Sequence, residues 1–281
     1  MYPLKVICRV MEVSRSGYHA WKKRPMSQGR IENEALLIEI RRVFVEHDEN
    51  YGSPRIYKEL KKARIPCSEN RIARLMSGDG LAAVQRRKFK ATTNSKHRWP
   101  VAPNLLERQF KVDEPNKIWV TDITYIWTWE GWLYLSFVLD LYSRSVVGLA
   151  MSNRITDDLT QNALKQAVGR RNPQSGLIHH SDRGSQYASG DYQTLIKKHE
   201  MIPSMSRKGD CWDNAVAESF LHTLKVEKIN RYRFKTRDEA RREIFRYVEI
   251  YYNRKRTHSS LGYLSPFDYE ESSFPSLLTV H

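Results

Sequence analysis

The feature that most constrains this chain is a change of sequence periodicity near residue 117. Three stretches rich in β-branched and aromatic residues follow one another there: KIWVTDITYIW, LYLSFVLDLYS and SVVGLAMS. Alternation of this kind predicts three antiparallel strands in a meander. Helical and extended patterns then alternate, as DDLTQNALKQAVGRR, GLIHH, residues 187–199, residues 201–205 and a helix from Asp213. This order predicts an α/β domain in which crossover units extend a hairpin sheet.

The residues before this domain predict only helices. Residues 3–24 are interpreted as two short helices, the second capped by Ser14, and Ser27 can begin a longer amphipathic helix. Ser53, followed by proline, predicts another helix start, and Ser68 caps the helix after it. Two short helices joined by a tight turn are typical of a helix-turn-helix, although an ordinary helical hairpin gives the same pattern. We therefore predict small all-α, helix-turn-helix-like modules before a ribonuclease H-like α/β core.

Positive charge is concentrated in the first 100 residues. The chain has 47 Lys and Arg against 32 Asp and Glu, a formal charge of +15. Residues 1–100 hold 22 basic and 10 acidic residues, or +12, which leaves +3 for the rest. This distribution predicts contacts with DNA phosphates, against the alternative of a merely soluble basic protein. The candidate DNA contacts are Arg55, Lys58, Lys61, Arg71 and Arg74 in the helix-turn-helix-like module, and Arg86, Arg87, Lys88 and Lys90 in a basic linker after it.

These patterns divide the chain into five parts. We predict an N-terminal helical segment over 1–48, a helix-turn-helix-like module over 49–84, a basic linker over 85–114, a ribonuclease H-like catalytic core over 115–230, and a C-terminal helix and tail packing on the core over 231–281. For the linker, a solvated tether is the alternative to a segment that lies along the DNA backbone.

Cysteine usage and hydropathy argue against several classes of protein. Cys8, Cys67 and Cys211 are widely spaced and odd in number, which supports neither a disulfide framework nor a structural zinc site. The sequence contains no run of about 18 apolar residues, so it predicts neither a signal peptide nor a membrane span. We expect a cytoplasmic protein in a reducing compartment, with no membrane partner.

Three acidic residues of the predicted core form the candidate catalytic centre. Strand alternation puts Asp122 on one face with Val120 and Thr124, where a carboxylate must be paired with a cation or bind metal. Asp182 follows the strand GLIHH, where ligands bind in open α/β sheets, although Asp is also a common turn residue. Glu218, on a predicted helix, would alone be a solvated charge. Together the three carboxylates can hold two divalent cations through the oxygen ligands that Mg²⁺ prefers.

Five segments of the sequence resemble the integrase core of bacterial insertion-sequence transposases: WVTDITYI, LDLYSR, HHSDRGSQY, WDNAVAESF and YYNRKRTHSSLGYLSP. The likeness covers most of the chain from about residue 50. Between Asp182 and Glu218 lie 35 residues, the interval of these DDE-type enzymes and of retroviral integrases, and the basic Lys225 follows Glu218 by seven positions. In particular the chain resembles the second reading-frame (OrfB-like) product of elements whose transposase is completed by an upstream helix-turn-helix and leucine-zipper segment.

The resemblance implies a chemistry and a set of partners. It implies two Mg²⁺ ions, with Mn²⁺ as a substitute, that are held by Asp122, Asp182 and Glu218. The implied reactions are cleavage of the element ends to free 3′-hydroxyls and transfer of those hydroxyls to DNA. The implied partners are double-stranded DNA at the element ends and target, the upstream zipper segment as partner or fusion, and further copies of the chain on DNA.

Four residues near the carboxylates are further candidate DNA contacts: His180, Trp212, Asn214 and Lys225. His180 can contact DNA or support a metal ligand, or it can be a satisfied structural histidine. Trp212 and Asn214 can position an unpaired strand end, although a tryptophan beside a helix start can equally be a packing anchor. Lys225 can reach a phosphate or be a solvated helix residue. The sequence does not explain the basic segment 254–258.

Two other functions stay open at this point. A plain nuclease of the same fold would use the same ions and stop at hydrolysis, but the 35-residue interval and the basic N-terminal helices argue against it. A non-catalytic DNA-binding protein is the second alternative, and the presence of all three carboxylates argues against that one.

Overall fold

The computed structural model describes residues 3–84, 100–207 and 211–273, and the chain divides into two compact units, 1–83 and 84–281. The finer division into five parts stays a prediction. None of the described helices combines the length and the apolar character that crossing a membrane would require.

The first unit is entirely helical, as predicted. Its helices are α1 (Leu4–Val10), α2 (Arg15–Lys23), α3 (Gln28–Glu46), α4 (Ser53–Lys62) and α5 (Glu69–Gly78). Two of the expected side-chain caps form, because Ser14 Oγ accepts from the Gly17 amide at 2.9 Å and Ser68 Oγ accepts from the Arg71 amide at 3.3 Å. The expected cap at Ser53 is wrong by one position, since Gly52 is the N-cap of α4.

One hydrophobic core joins α3, α4 and α5. Ile40 of α3, Ile56 and Leu60 of α4, and Ile72 of α5 are all fully buried in it. The loop between α3 and α4 also contributes, because the Tyr51 ring is buried and stacks on His47 with 3.8 Å between ring centroids. The long helix therefore supplies one wall of the helix-turn-helix-like core.

The second unit is built on a five-stranded mixed sheet. Its strands are β1 (Ile118–Thr128), β2 (Gly131–Asp140), β3 (Val146–Ser152), β4 (Ile178–Ser181) and β5 (Ile202–Met205), in the order β3-β2-β1-β4-β5. The pairs β1–β2 and β2–β3 are antiparallel, and β1–β4 and β4–β5 are parallel. This is the predicted ribonuclease H-like arrangement, with the longest strand, β1, at the centre.

Helices cover both faces of this sheet. They are α6 (Asp157–Arg171), α7 (Ser185–Ala188), α8 (Gly190–Lys198), α9 (Ala215–Glu227), α10 (Arg237–Arg246) and α11 (Pro266–Ser273). One core holds Phe137 of β2 against Phe220 of α9, with ring centroids 4.5 Å apart, and also includes Ile244 of α10. The opposite core joins Trp119 of β1 to α6 and α8. The sheet is therefore buried on both sides except at the end of the β1–β2 hairpin.

The predicted late helix is confirmed, with one irregularity. Thr236 caps α10, and the helix continues beyond Arg246 as a π-helical turn over Tyr247–Tyr252. The segment after it, which the sequence left unexplained, returns to α9: Arg256 places Nη2 2.7 Å from Glu227 Oε1 and Nε 2.8 Å from Oε2. This buried ion pair fixes the end of α9 to the C-terminal part of the chain.

Candidate active site

The central strand places Asp122 beneath α9. Val120, Thr124 and Ile126, which share its side of β1, are buried, and Val120 and Ile126 belong to the core that α9 covers. Asp122 itself is half-buried, and its Oδ1 lies 2.7 Å from the Ile123 amide, which donates to it. The face predicted from alternation is therefore the face that carries the candidate carboxylate.

Asp182 follows the end of β4, and Asp122 lies on the neighbouring parallel strand β1. The last registered pair of β1 and β4 is Val120 with His180. Asp122 follows Val120 by two residues, and Asp182 follows His180 by two residues. Parallel neighbours are about 4.8 Å apart, so continuation of the register brings the two Asp residues together. Asp182 Oδ1 also accepts from the Gly184 amide at 2.9 Å.

The residue two positions after Asp182 is a glycine, Gly184, although its backbone conformation does not demand one. Its φ of −63° and ψ of 142° are open to any residue. A Cβ at this position would instead lie 2.9 Å from Asp182 Oδ1. The absent side chain thus leaves room for the carboxylate.

Glu218 reaches the same place from α9. The helix begins just after Asn214, whose Nδ2 donates to the Thr121 carbonyl at 3.2 Å and so ties the start of α9 to β1. Asn214 Oδ1 is buried and has no hydrogen-bond partner among the described residues. Glu218 lies in the first turn and is half-buried.

The carboxylates act on one another electrostatically. Burial raises the pKa of Asp122 well above its usual range, and the charges of Asp182 and Glu218 raise it further, while the Ile123 amide and Lys225 oppose the shift. Burial also raises the pKa of Glu218 and lowers that of Lys225. Within the described ranges, no group of three or more His, Cys, Asp or Glu side chains is close enough together to hold a metal ion as it stands. Asp182 and Glu218 are nevertheless near enough to Asp122 for their charges to act on it.

Two of the candidate DNA contacts need correction because their side chains are buried. His180 is fully buried, and its ring nitrogens lie 2.8 Å from Ser204 Oγ and 3.1 Å from Ser206 Oγ on the neighbouring strand and loop. Asn214 is 4% exposed and is held by Thr121. A buried side chain does not reach a phosphate or a base, so both are positioning residues of the candidate site.

Trp212 and Lys225 stay candidates for contact with DNA. Trp212 is 68% exposed at the turn before α9. Lys225 is half-buried and places Nζ 5.5 Å from the Tyr125 ring centroid. Its position between Tyr125 and Asp122 puts a positive charge at the edge of the acidic group.

The helix-turn-helix-like candidates on α4 lie beside aromatic rings. Arg55 is 5.3 Å from the Tyr51 ring centroid, and Lys58 and Lys61 are 5.9 and 6.0 Å from that of Tyr57. The side chains remain half-buried or exposed. As DNA contacts they stay predictions.

The two candidates on α5 differ. Arg74 is exposed, whereas Arg71 donates from Nε to Asn33 Oδ1 at 2.8 Å and lies 3.6 Å from a Glu32 carboxylate oxygen. Arg71 thus joins α5 to α3 and must break these bonds to read a base. The linker candidates Arg86, Arg87, Lys88 and Lys90 lie outside the described residues.

One positioning residue was missed by the sequence analysis. Asp213 is fully buried and accepts from the Arg207 amide and side chain at 2.8 to 2.9 Å, and from Arg108 Nε at 3.2 Å. These guanidinium and amide donors hold the pKa of Asp213 well below its usual range. Three of these four bonds come from Arg207, six positions before Asp213, whereas Arg108 is 105 positions away. Only the pairing with Arg207 was within reach of a local sequence pattern.

Two protein families match the chain. The integrase core domain family matches residues 112–211 and, in a second part, residues 199–266, and the HTH-like domain family matches residues 31–89. The chain is 47% identical over 265 residues to the insertion element IS600 uncharacterized 31 kDa protein of Shigella sonnei, covering 94% of this chain and 97% of the relative. It is 41% identical over 277 residues to transposase InsF for insertion sequence IS3A of Escherichia coli (strain K12), covering 97% and 95%.

Solved structures with some similarity include retroviral proteins. A chain of the simian T-cell lymphotropic virus intasome in complex with PP2A regulatory subunit B56 gamma gives a TM-score of 0.48 at 14% identity, over 78% of this chain and 70% of that one. The HTLV-2 integrase catalytic core domain in complex with magnesium (trimeric form) gives 0.43 at 16% identity, over 55% and 95%.

Proposed function

This chain belongs to the integrase-core transposases of bacterial insertion sequences, and from that premise we propose that it is the catalytic subunit for DNA transposition. Asp122, Asp182 and Glu218 are its proposed catalytic residues. They hold two divalent cations, Mg²⁺ or Mn²⁺ as a substitute, while the chain cleaves the element ends and joins the freed 3′-hydroxyls to DNA.

The observation that carries this proposal is the electrostatic contact of three carboxylates from three separate elements. Asp182 and Glu218 both raise the pKa of the half-buried Asp122. Like charges are costly to hold together in a buried place, and a bound dication converts their repulsion into attraction. The unpartnered, buried Oδ1 of Asn214 adds an oxygen atom without a donor beside the same strand. This oxygen-rich donor set fits the preference of Mg²⁺.

In each step of the proposed chemistry, one phosphorus–oxygen bond forms and another breaks. Bound metal ions would activate the attacking oxygen and stabilise the leaving oxygen. Water attacks a phosphodiester at the element end, the bond from phosphorus to the 3′-oxygen breaks, and a 3′-hydroxyl is freed. That hydroxyl then attacks a second phosphodiester, where one phosphorus–oxygen bond forms as another breaks. Neither a high-energy cofactor nor a covalent protein nucleophile is required.

The proposed role of the protein groups is to hold the acids in place. The parallel register of β1 and β4 ends two residues before the two Asp residues, and its continuation would bring them side by side, while Asn214 ties α9 to β1. Rotation of the Glu218 side chain then brings the third carboxylate to the two Asp residues. Glu218 can do this because its side chain is half-buried and longer than that of an aspartate.

The proposed partners follow from the two units. The helical unit, which matches an HTH-like family, binds duplex DNA through residues of α4 and α5. Joining two element ends requires at least two catalytic centres, so the chain acts as an oligomer on DNA, with an upstream zipper segment as partner or fusion. Cytoplasmic localisation is part of the same proposal.

Labelled element ends incubated with the protein and Mg²⁺ test the assignment. Wild-type protein should cut at the 3′-end and form joined products, and Asp122→Ala, Asp182→Ala and Glu218→Gln should each abolish both reactions while DNA binding persists. The matched control is Asp191→Asn, which removes an exposed carboxylate on α8 and should keep full activity.

A pre-cut 3′-end distinguishes a transposase from a plain nuclease of the same fold. The transposase joins this substrate to target DNA, whereas a nuclease gives no joined product. Full cleavage and joining by any one of the three carboxylate variants would refute the role assigned to that residue.

A further inference from the structure

A pocket rimmed by exposed aromatic side chains lies beside the candidate active site and has no part in the chemistry above. Its volume is 360 Å³, and it forms where the end of the β1–β2 hairpin meets the end of α9 and the residues that follow. The exposed aromatic residues that line it are Tyr125, Trp127, Trp129, Trp132 and Tyr232, and the buried Phe234 lines it as well.

The topology explains why this part of β1 is open. The β4 strand pairs with β1 only over Ile118–Val120, so the rest of β1 has β2 on one side and, on the other, a single bridge from Thr128 to Phe234. Strand alternation puts Tyr125 and Trp127 on the same side of β1, and Trp129 follows the last residue of the strand; the three residues are 43%, 57% and 66% exposed.

The rings form an ordered array. Trp132 pairs with Trp127 across the hairpin, with ring centroids 4.9 Å apart at 74°, and it meets Tyr125 at 5.1 Å and 87°. Edge-to-face packing of this kind fixes the rings and leaves ring faces open to solvent. A contiguous group of exposed aromatic side chains such as this one marks a binding surface.

Positive charge accompanies the rings. Lys225 Nζ lies 5.5 Å from the Tyr125 ring centroid, Lys228 Nζ lies 4.1 Å from that of Tyr232, and Arg233 lines the pocket. Among the described residues that line it, none is acidic. Flat π-faces together with cations match a chain of bases and phosphates, which is the pattern of single-strand binding sites.

The pocket is also close to the carboxylates. Tyr125 follows Asp122 by three residues on one strand, which is about 10 Å at the usual rise. Lys225 follows Glu218 by seven residues on α9, again about 10 Å, and its charge acts on Asp122. Tyr125 and Asp122 point to opposite faces of β1, and Lys225, which lines the pocket and acts on Asp122, connects the two at the edge of β1 that β4 leaves open. A DNA strand at the carboxylates would reach the pocket by passing this edge.

We propose that this aromatic pocket binds unpaired nucleotides of the DNA strand that passes through the active site. Bases stack on Trp127 and Trp132, and the adjoining phosphates contact Lys225 and Arg233. The inference rests on the proposed function for the identity of the substrate as DNA, and it assigns to the chain a single-strand subsite separate from the duplex-binding helical unit.

The test measures affinity of the full-length chain for two labelled probes, an oligothymidylate of about 12 nucleotides, within the range of single-strand sites, and a hairpin duplex. EDTA is present throughout, so the result does not depend on metal chemistry. Trp127→Ala should weaken oligothymidylate binding about tenfold, since stacking contributes about 1–3 kcal/mol per base. Duplex binding should be unchanged, and Trp127→Tyr should restore most of the single-strand affinity.

Two controls make the outcome decisive. Trp21→Ala removes a similarly exposed tryptophan (67%) from the other unit and should change neither affinity. Thermal unfolding of Trp127→Ala should match wild type, because the side chain lies at the surface.

The proposal is overturned if Trp127→Ala and Trp132→Ala both keep wild-type affinity for oligothymidylate, or if duplex affinity falls to the same extent. Failure of the proposed function is seen separately, as activity in the carboxylate variants. Asp122→Asn should retain single-strand binding in EDTA, whichever way the catalytic test comes out.

Discussion

Burial acts in opposite directions on the acids and the histidines around β1 and β4. It raises the pKa of Asp122, and it lowers the pKa of His179 to about 3 and that of His180 to about 4. In both cases the neutral form is favoured, because a charge is poorly solvated there. His179 illustrates the structural consequence: it is 3% exposed, and its Nε2 lies 3.1 Å from the Tyr192 hydroxyl.

His179 should make the fold sensitive to acid. Its folded pKa of about 3 lies below the unfolded value of 6.5, so its contribution is complete above pH 6.5 and is lost as the pH falls toward 3. At pH 5 the penalty is about 2 kcal/mol. His179→Gln keeps a polar partner for Tyr192 and does not titrate. Urea unfolding at pH 7 and pH 5 should therefore show a loss about 2 kcal/mol smaller in the variant than in wild type.

An equal loss of stability in both proteins would contradict this account. The other histidines contribute the same amount to each protein, so the difference isolates His179. Trp21→Ala is the control. It leaves the catalytic unit unaltered, so its free energy of unfolding should depend on pH as that of wild type does.

The sequence predicted the surroundings of a single residue only where a local pattern, such as strand alternation, determines them. Alternation on β1 identified the face of Asp122, and the strand end identified Asp182. The burial of His180 was not predictable, because its two serine partners come from residues 24 and 26 positions later. Partners so distant in sequence are set by the parallel pairing of β4 with β5, which no local pattern specifies.

Close packing of elements depends on a glycine in β3. A Cβ on Gly148 would lie 2.2 Å from the Ala163 carbonyl oxygen and 2.9 Å from the Ala167 methyl group, both on α6. Real contacts are never so short, so an alanine there must push the helix from the sheet. The cost of such overpacking is about 1–3 kcal/mol, occasionally more.

Gly148→Ala should accordingly lower the thermal unfolding temperature of the catalytic unit. Gly169→Ala is a matched control on α6 itself, because nothing lies within 4 Å of its added Cβ. Alanine is the better helix former by about 1 kcal/mol, so this control should be neutral or stabilising. Equal melting temperatures for the two variants would show that α6 does not pack on β3 as closely as described.

The end of α9 is held by a buried charged group. Glu227 accepts from Arg256 at 2.7 and 2.8 Å and from the Tyr247 hydroxyl at 2.7 Å, and all three residues are buried. Removing one partner leaves the other charge buried and unpaired. The basic segment near residue 256 is therefore explained by a structural role in fixing the helix that carries Glu218 and Lys225.

Arg256→Met should destabilise the catalytic unit by about 3–5 kcal/mol, measured by thermal or urea unfolding. Adding Glu227→Leu and Tyr247→Phe to the same chain should recover most of that loss, because apolar groups of similar volume replace the whole buried set. If the triple variant is no more stable than Arg256→Met, the unpaired charge is not the cause of the destabilisation.

At the scale of elements, helices and strands with strong sequence periodicity were predicted, whereas features that depend on tertiary pairing were missed. The three hairpin strands and the helices from Ser14 to Ser68 were predicted from alternation and caps. The π-helical turn at Tyr247–Tyr252 was missed, because it has no sequence signature and interrupts a regular helical pattern. The aromatic pocket was also missed, although Tyr125, Trp127 and Trp129 alternate along the end of β1 and just beyond it; the missing information was that β4 stops short of them.

At the scale of the whole molecule, the chain has two units with separate cores, and its positive charge is concentrated in residues 1–100, which include the start of the second unit. The core of the first unit joins α3, α4 and α5, and the two cores of the second unit lie on the faces of the sheet. Residues 1–100 carry 22 basic and 10 acidic residues, and the catalytic part is nearly neutral. General attraction to DNA therefore belongs to the N-terminal part, while the catalytic unit contributes local contacts near its carboxylates.

Salt dependence of duplex binding measures this division. Each phosphate contact contributes about 0.9 to the slope of log affinity against log salt concentration. Replacing the linker residues Arg86, Arg87, Lys88 and Lys90 with Gln should reduce the magnitude of that slope by about 3 to 4 if they contact DNA backbone. The control variant replaces four basic residues of the catalytic unit with Gln: Lys197, Lys198, Arg242 and Arg246. Its slope should change by less than about 1. Equal changes in the two variants would mean that the linker is a solvated tether and that DNA attraction comes from net charge alone.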